Sequence, residues 1–151
     1  MKGLFVHQFV IAGVLFFTML LFILNQMDSD TRSFQSNLYL DRLNLKLLQI
    51  SEIIMSSTDN GLLDHYPVFD EKKVENFFDS CSKSPEFLSS IFDLQERTYY
   101  GVRNHHLRII LRTGYGEFSC GKYVPKYVTK AEIRRFGIYK GKDANLTIVI
   151  W

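Results

Sequence analysis

The first thirty residues, Met1–Asp30, read MKGLFVHQFVIAGVLFFTMLLFILNQMDSD. From Leu4 to Leu24 no residue carries a charge unless His7 is protonated. Since an α-helix rises about 1.5 Å per residue, Leu4–Asn25 would extend about 33 Å, close to the thickness of a bilayer core. The segment therefore predicts a transmembrane helix.

A cleaved secretory signal is the alternative explanation of this segment. Such signals have an apolar region of about 7–15 residues and end at a small-x-small cleavage site. Here the apolar stretch is longer and ends in Asn25-Gln26-Met27. These differences favour a helix that the mature protein keeps.

The charges on either side of the helix predict its orientation. Lys2 precedes it, whereas Asp28 and Asp30 follow it directly. Positive charge stays on the cytoplasmic side of a membrane. We therefore expect a transmembrane helix over 4–27, with a cytoplasmic N-terminus, and an extracytoplasmic domain over 28–151.

A helical pattern continues beyond the predicted membrane segment. One face of a helix would carry apolar residues spaced by three and four, namely Leu40, Leu43, Leu47, Ile50 and Ile54. We assign Phe34 and Leu38 to the same face, one turn earlier. Asp59-Asn60-Gly61 predicts a cap and a turn, so one helix should run from Leu4 to about Ser57.

The remainder predicts a short helix followed by a sheet. Asp70 is a suitable N-cap for a helix that Ser84-Pro85 should end. Leu107–Leu111 then alternates with period two, and a second hairpin is predicted around Gly141. We expect three to five mostly antiparallel strands whose apolar face packs on the long helix. The fold class is α+β.

Composition indicates a folded domain without a nucleic-acid partner. Without Lys2, 17 of the 18 basic residues remain against 16 acidic ones, so no basic field is present. We find no nucleophile elbow, phosphate-binding glycine loop or metal motif, and we predict no enzyme and no cofactor. Adjacent His105 and His106 would point to opposite faces of a strand, which disfavours a shared metal ion.

Two cysteines, Cys81 and Cys120, are expected to pair if the domain lies outside the cytoplasm. Two buried free thiols are the alternative. Asn145-Leu146-Thr147 matches the glycosylation triplet, although such triplets also arise by chance. The densest basic cluster comprises Lys122, Lys126, Lys130, Arg134 and Arg135. It is either a solvated face or a docking surface for an anionic partner, such as an acidic protein or a cell-wall polymer.

The Lys2-Gly3 pair before a long uncharged helix resembles the class III signal peptide of archaeal type IV pilin-like proteins. The predicted order of membrane stem, amphipathic continuation and antiparallel sheet is similar to a pilin as well. The resemblance implies that residues 1–3 are a leader, cleaved after Gly3 to leave Leu4 as the new N-terminus. Gln8 departs from the family, since many pilins have Glu there, and it could only accept a weaker hydrogen bond from a neighbouring subunit.

The resemblance further implies a structural role. The chain would be a membrane-anchored subunit, or a minor pilin, that assembles with itself or with other pilin-like subunits in an extracellular filament. Phe5, Gln8, Phe9 and Gly13 would be the stem residues that form these contacts. The alternative is a single-pass membrane protein whose outer domain binds a ligand or a partner. Processing at Lys2-Gly3 distinguishes the two hypotheses.

Overall fold

A computed structural model describes residues 2–58, 61–84, 86–98 and 101–151, without the side chains of residues 2–8, 97 and 98. The chain begins with α1 (Lys2–Ile54), a single α-helix of 53 residues. The chain forms two compact units, of which the first is Met1–Tyr39 and the second is Leu40–Trp151. The α+β fold with a long N-terminal helix is thus confirmed.

The second half of α1 contributes one face to the core of the second unit. Leu43, Leu47, Ile50 and Ile54 are between 0% and 3% exposed. Burying each such side chain contributes about 1.5–3 kcal/mol, so this face stabilises the unit substantially. The predicted core stripe is therefore correct from Leu43 onward.

The assignment of Phe34 and Leu38 to that stripe is wrong. Phe34 is 63% exposed and Leu38 is 42% exposed. In an α-helix, the residues that precede Leu40 and Leu43 by one turn on the same face are Ser36 and Tyr39 rather than these two. The error arose because spacings of three and four fit more than one face when the starting residue is not fixed.

The chain leaves α1 through a tight turn. The amide nitrogen of Leu62 donates to the carbonyl oxygen of Ile54 at 2.8 Å, so the chain folds back on the last turn of the helix. Gly61 is required there, because a Cβ at this position would lie 2.0 Å from the carbonyl oxygen of Ser56. Of the predicted cap, Asp59 and Asn60 lie outside the described residues.

In the described residues after α1, eight strands and two further helices follow. Their bounds are β1 (Leu63–His65), β2 (Val68–Phe69), α2 (Glu71–Lys83), α3 (Phe87–Ile91), β3 (Gln95–Thr98), β4 (Gly101–Asn104), β5 (Leu107–Thr113), β6 (Gly116–Gly121), β7 (Ala131–Tyr139) and β8 (Lys142–Ile150). The main sheet has the order β1-β2-β7-β8-β5-β6, and β3 pairs with β4 in a separate sheet. Every pair is antiparallel except β2 and β7.

The sheet is larger than predicted, and it is mixed. Both predicted hairpins are present, β5–β6 and β7–β8. The expected earlier strand is a hairpin of its own, β3–β4. The strands β1 and β2 were not predicted, because runs of three and two residues are too short to show alternation.

The central strand β8 is buried on both faces. Leu146, Ile148 and Ile150 point to one side and are inaccessible, while Thr147 and Val149 on the other side are also buried. The sequence of a strand that is covered on both faces is typically a continuous apolar run. β8 has this pattern, and it lies between β5 and β7 within the main sheet.

The short helix and the disulfide agree with the sequence prediction. Asp70 caps α2, since its Oδ1 accepts from the amide nitrogen of Lys73 at 2.9 Å. Cys81 of α2 is bonded to Cys120 of β6, with Cα atoms 5.9 Å apart. Phe78 packs against Phe118 of the same strand, with ring centroids 5.5 Å apart. The bridge therefore holds α2 against an edge strand.

We predict that Leu47→Ala lowers the free energy of unfolding by about 2–5 kcal/mol, because it leaves a cavity in the core. Leu45→Ala, the same change at an exposed position of α1, should alter it by no more than about 0.5 kcal/mol. Denaturant unfolding of the full chain, followed by fluorescence of the buried Trp151, measures both. Micelles that hold one chain each keep association out of the comparison. Equal effects would contradict the orientation of this half of α1.

We also predict that replacing both Cys81 and Cys120 by Ser lowers the free energy of unfolding by about 4 kcal/mol. This is the chain-entropy value for closing a loop whose ends are 39 residues apart. A reducing agent should destabilise the wild type equally and leave the double variant unchanged. An unchanged denaturant midpoint in the double variant would refute a stabilising bridge.

Candidate functional site

The first candidate site is the apolar part of α1. Within the described residues, one helix is long and apolar enough to cross a membrane. Its large apolar side chains from Phe9 to Met27 are exposed, with Phe9 82% accessible. A helix that is apolar on all sides is stable when lipid or other helices surround it. Its composition thus fits a membrane anchor.

The sequence-predicted stem residues are only partly described. Phe9 and Gly13 lie on this exposed helix, and a Cβ at Gly13 would meet no atom within 4 Å. The small residue therefore leaves an open notch where a neighbouring helix could approach closely. For the predicted processing residues Lys2, Gly3 and Leu4, and for Phe5 and Gln8, the side chains lie outside the described part, and their predicted roles stay predictions.

The second candidate is a polar clasp in the second unit, formed by Arg42, Glu96 and His105. One carboxylate oxygen of Glu96 accepts from Nη1 of Arg42 at 3.1 Å, which links β3 to α1. The other lies 3.1 Å from Nε2 of His105. Because a carboxylate can only accept, Nε2 carries the proton in this pair. Lys46 adds a longer bond from Nζ to the carbonyl oxygen of Gln95 at 3.4 Å.

The pKa values of His105 and Glu96 are both lowered in the folded chain. Burial lowers the pKa of His105, whose side chain is 3% exposed, and the hydrogen bond to Glu96 opposes this only in part. Burial raises the pKa of Glu96, but the hydrogen bonds from His105 and Arg42 outweigh it, and the net shift is downward. Near neutral pH the clasp therefore pairs an ionised Glu96 with a neutral His105.

A cavity of about 270 Å³ lies beside the clasp. Its lining includes Glu86, Asn104, His105, His106 and Lys122. Burial, together with the positive charge of Lys122, lowers the pKa of His106. The cavity thus presents a carboxylate, a cation and neutral imidazole groups, which is a set suited to a small polar ligand.

One residue of the predicted basic cluster, Arg135, serves a contact within the second unit. Lys122, Lys126 and Lys130 lie in the connection between β6 and β7, whereas Arg135 is directed to α1. Its Nη2 donates to Oγ of Ser51 at 3.0 Å and to Oε1 of Glu52 at 2.8 Å. Arg135 thus connects the sheet to the helix. Docking of an anionic partner at the lysines stays a prediction.

The predicted glycosylation acceptor and the possibility of a metal site remain to be placed in the fold. Asn145 lies in the central strand β8, where its backbone pairs with Arg112 on β5 and Phe136 on β7. Its Oδ1 is buried, a location unlike the surface loops in which glycosylation acceptors are common, so the modification stays a prediction. Among the described residues, no group of three His, Cys, Asp or Glu side chains could hold a metal ion.

Sequence reasoning missed the clasp. Arg42 and Glu96 are 54 residues apart, and Glu96 and His105 are separated by nine. No spacing rule joins a charged residue on a helix face to one in a later strand. The one hint in the sequence is Glu96 itself, a charged residue within the short strand β3.

The clasp generates a prediction on pH. Folding lowers the pKa of His105, so the unfolded chain binds a proton at this residue more readily than the folded chain does. The free energy of unfolding should therefore fall as the pH drops below about 7 and passes the pKa of histidine in the unfolded chain, near 6.5. His105→Gln, which keeps a donor but cannot titrate, should flatten this fall. Glu96 acts in a separate, more acidic window, since its stabilising charge is lost only as pH falls below about 4.3.

Thermal unfolding of the full chain between pH 5.5 and 8, in steps of about half a unit, measures this dependence. His65→Gln is the matched control, because the side chain of His65 is exposed and bonds only to its neighbour Asp64 among the described contacts. The same pH slope in His105→Gln as in the wild type would contradict the assignment.

Comparison with known proteins adds no family to these observations: no protein-family model, no curated protein and no solved structure matches the chain.

Proposed function

We infer that the protein is a pilin-like structural subunit that is anchored in a membrane by α1 and assembles through this helix. The observation that carries the proposal is the exposure of the apolar side chains from Phe9 to Met27. The exposed fractions of the large apolar side chains in this segment range from 38% at Leu20 to 82% at Phe9. Such a surface needs lipid in one state and can accept neighbouring helices in another.

Assembly is physically consistent with anchoring. Moving an apolar helix from lipid into a bundle exchanges one apolar environment for another, so packing between helices decides the free energy. Bulky Phe16, Phe17 and Phe22 offer contact area, while Gly13 permits close approach. The leader at Lys2-Gly3 would free the N-terminus of the helix, as the resemblance to archaeal pilin-like proteins implies.

The Cys81–Cys120 bridge supports the proposed side of the membrane. Disulfides persist in oxidising compartments and are rare in the cytosol. A bridge between α2 and β6 therefore fits a second unit that lies outside the cytoplasm. The charges around the helix, Lys2 before it and Asp28 and Asp30 after it, agree with this orientation.

The second candidate is a single-pass membrane protein whose outer domain binds a ligand. The cavity that contains Glu86, His106 and Lys122 favours it, because the cavity offers both signs of charge within one small space. This candidate needs the same anchor and the same disulfide. It needs no processing at Gly3, and no contact between copies of α1.

We predict that the full chain, co-expressed with an archaeal prepilin peptidase, loses Met1, Lys2 and Gly3. Intact-mass measurement of the purified protein detects the loss directly. Gly3→Leu should keep the full mass, because the resemblance implies cleavage after this glycine. A wild type that retains all 151 residues in the presence of active peptidase would favour the ligand-binding alternative.

A further inference from the structure

The outer face of the main sheet carries a row of aromatic and polar side chains. Strands β7, β8 and β5 lie side by side, and their registers place Phe136 opposite Asn145 and Asn145 opposite Arg112. Successive residues of a strand point to opposite faces, so this row lies on the face away from the buried Leu111 and Leu146. Opposite side chains in neighbouring strands have Cβ atoms about 4.5–5.5 Å apart, so the row is continuous.

A cleft of about 450 Å³ is lined by this row. Thr113 at the end of β5 and Asp143 near the start of β8 contribute to the same lining. Small-molecule sites have volumes of about 300–1,000 Å³, so the cleft has the size of a ligand site. It shares no lining residue with the cavity beside the clasp and is therefore a separate site within the second unit.

Phe136 supplies the apolar wall of the cleft. Its side chain is 70% exposed, although it lies in the middle of a long strand. The face of an aromatic ring carries partial negative charge and attracts C–H groups, which carry slight positive charge. The ring therefore suits a ligand that has an apolar face as well as polar groups.

Asn145 has an oxygen that is not used within the described part of the chain. Its Oδ1 is enclosed, and no donor of the described residues bonds to it. A buried acceptor that loses water without gaining a hydrogen bond costs free energy, so its presence calls for an explanation. The terminal torsion of Asn is broad, so the amide can turn and bring this oxygen into the cleft. A donor on a bound ligand would then satisfy it.

Arg112 and Asp143 give the cleft one charge of each sign. Nε of Arg112 donates to Oε2 of Glu117 at 2.8 Å, which ties the guanidinium to β6. This bond uses one N–H group, and among the described contacts no partner takes the terminal nitrogens. Asp143 is exposed and can only accept. The lining thus offers donors and acceptors without an excess of either charge.

We propose that this cleft binds a neutral carbohydrate. A hydroxyl group both donates and accepts, so a sugar can bond to Asn145, Arg112 and Asp143 together. The C–H groups on one face of a sugar ring would pack on Phe136. This inference goes beyond the proposed function and does not rest on it.

The lining disfavours two other classes of ligand. A phosphorylated or otherwise anionic ligand needs an excess of positive charge, whereas here Asp143 balances Arg112. A peptide that binds as an added strand needs an open sheet edge, whereas β8 and β5 each have a strand on both sides. A neutral ligand with many hydroxyl groups meets neither obstacle.

Saturation-transfer NMR of the full chain with sugars tests the proposal. The chain is made in a host without N-glycosylation, so that Asn145 keeps its free amide, and is held in phosphatidylcholine nanodiscs, which contain no sugar. The probes are maltose, lactose, cellobiose and N,N′-diacetylchitobiose. Each is present at about 10 mM, and we expect at least one to bind with a Kd of about 1 mM or less.

Two variants place the bound sugar. Phe136→Ala removes the apolar wall and Asn145→Ala removes the amide, so each should weaken binding at least roughly tenfold. The matched controls are Tyr127→Ala, which removes another exposed ring, and Asn104→Ala, which removes an exposed amide in the other cavity. Both controls should bind like the wild type. Fluorescence of Trp151 verifies that each variant is folded.

Three results would overturn the proposal. The first is that none of the four sugars binds. The second is that Phe136→Ala and Asn145→Ala bind like the wild type, or that Asn104→Ala loses as much affinity, since the sugar would then lie elsewhere. The third is that adenosine, a probe of another class, binds in place of every sugar and is lost in the same two variants. None of these results bears on assembly through α1, which processing at Gly3 tests separately.

Discussion

The first part of α1 has an exposed apolar surface, and the proposed arrangement of the protein depends on what surrounds that surface. The large apolar side chains from Phe9 to Met27 are exposed in the first unit. Exposing these side chains to water has a large free-energy cost compared with the net stability of a domain, so the segment is compatible with a place in lipid or among other helices. The proposed orientation of the chain and the proposed compartment of the second unit both rest on this property of α1.

The same helix serves two roles in successive segments. Up to Met27 it is apolar on all sides, whereas from Leu43 it has a core face that includes Leu47 and Ile54 and an opposite face that includes Leu45. A surface helix of a monomeric domain has polar residues on its outer face. Here Leu45 and Leu48 lie on that face together with polar residues such as Asp41 and Gln49, so the outer face is mixed.

Local sequence patterns predicted most of the second unit and failed where contacts are distant. The stripe from Leu43 to Ile54, the Asp70 cap and both hairpins each rest on residues close in sequence, and all are present. The parallel pairing of β2 with β7 and the bond between Arg42 and Glu96 depend on the folded chain. Phe34 and Leu38 were misassigned because α1 carries apolar residues on more than one face. Only the exposed fractions of the side chains distinguish these faces.

Polar contacts fix the second half of α1 within the second unit. Arg135 on β7 holds Ser51 and Glu52, and Arg42 holds Glu96 on β3, so α1 is tied to both sheets of this unit. Between these anchors the buried Leu43, Leu47 and Ile50 fix the rotation of the helix about its axis. Leu45 and Leu48 are thereby held on the side of the helix away from the core. The same contacts that build the core of the second unit therefore also determine which side of its part of α1 remains outside the core.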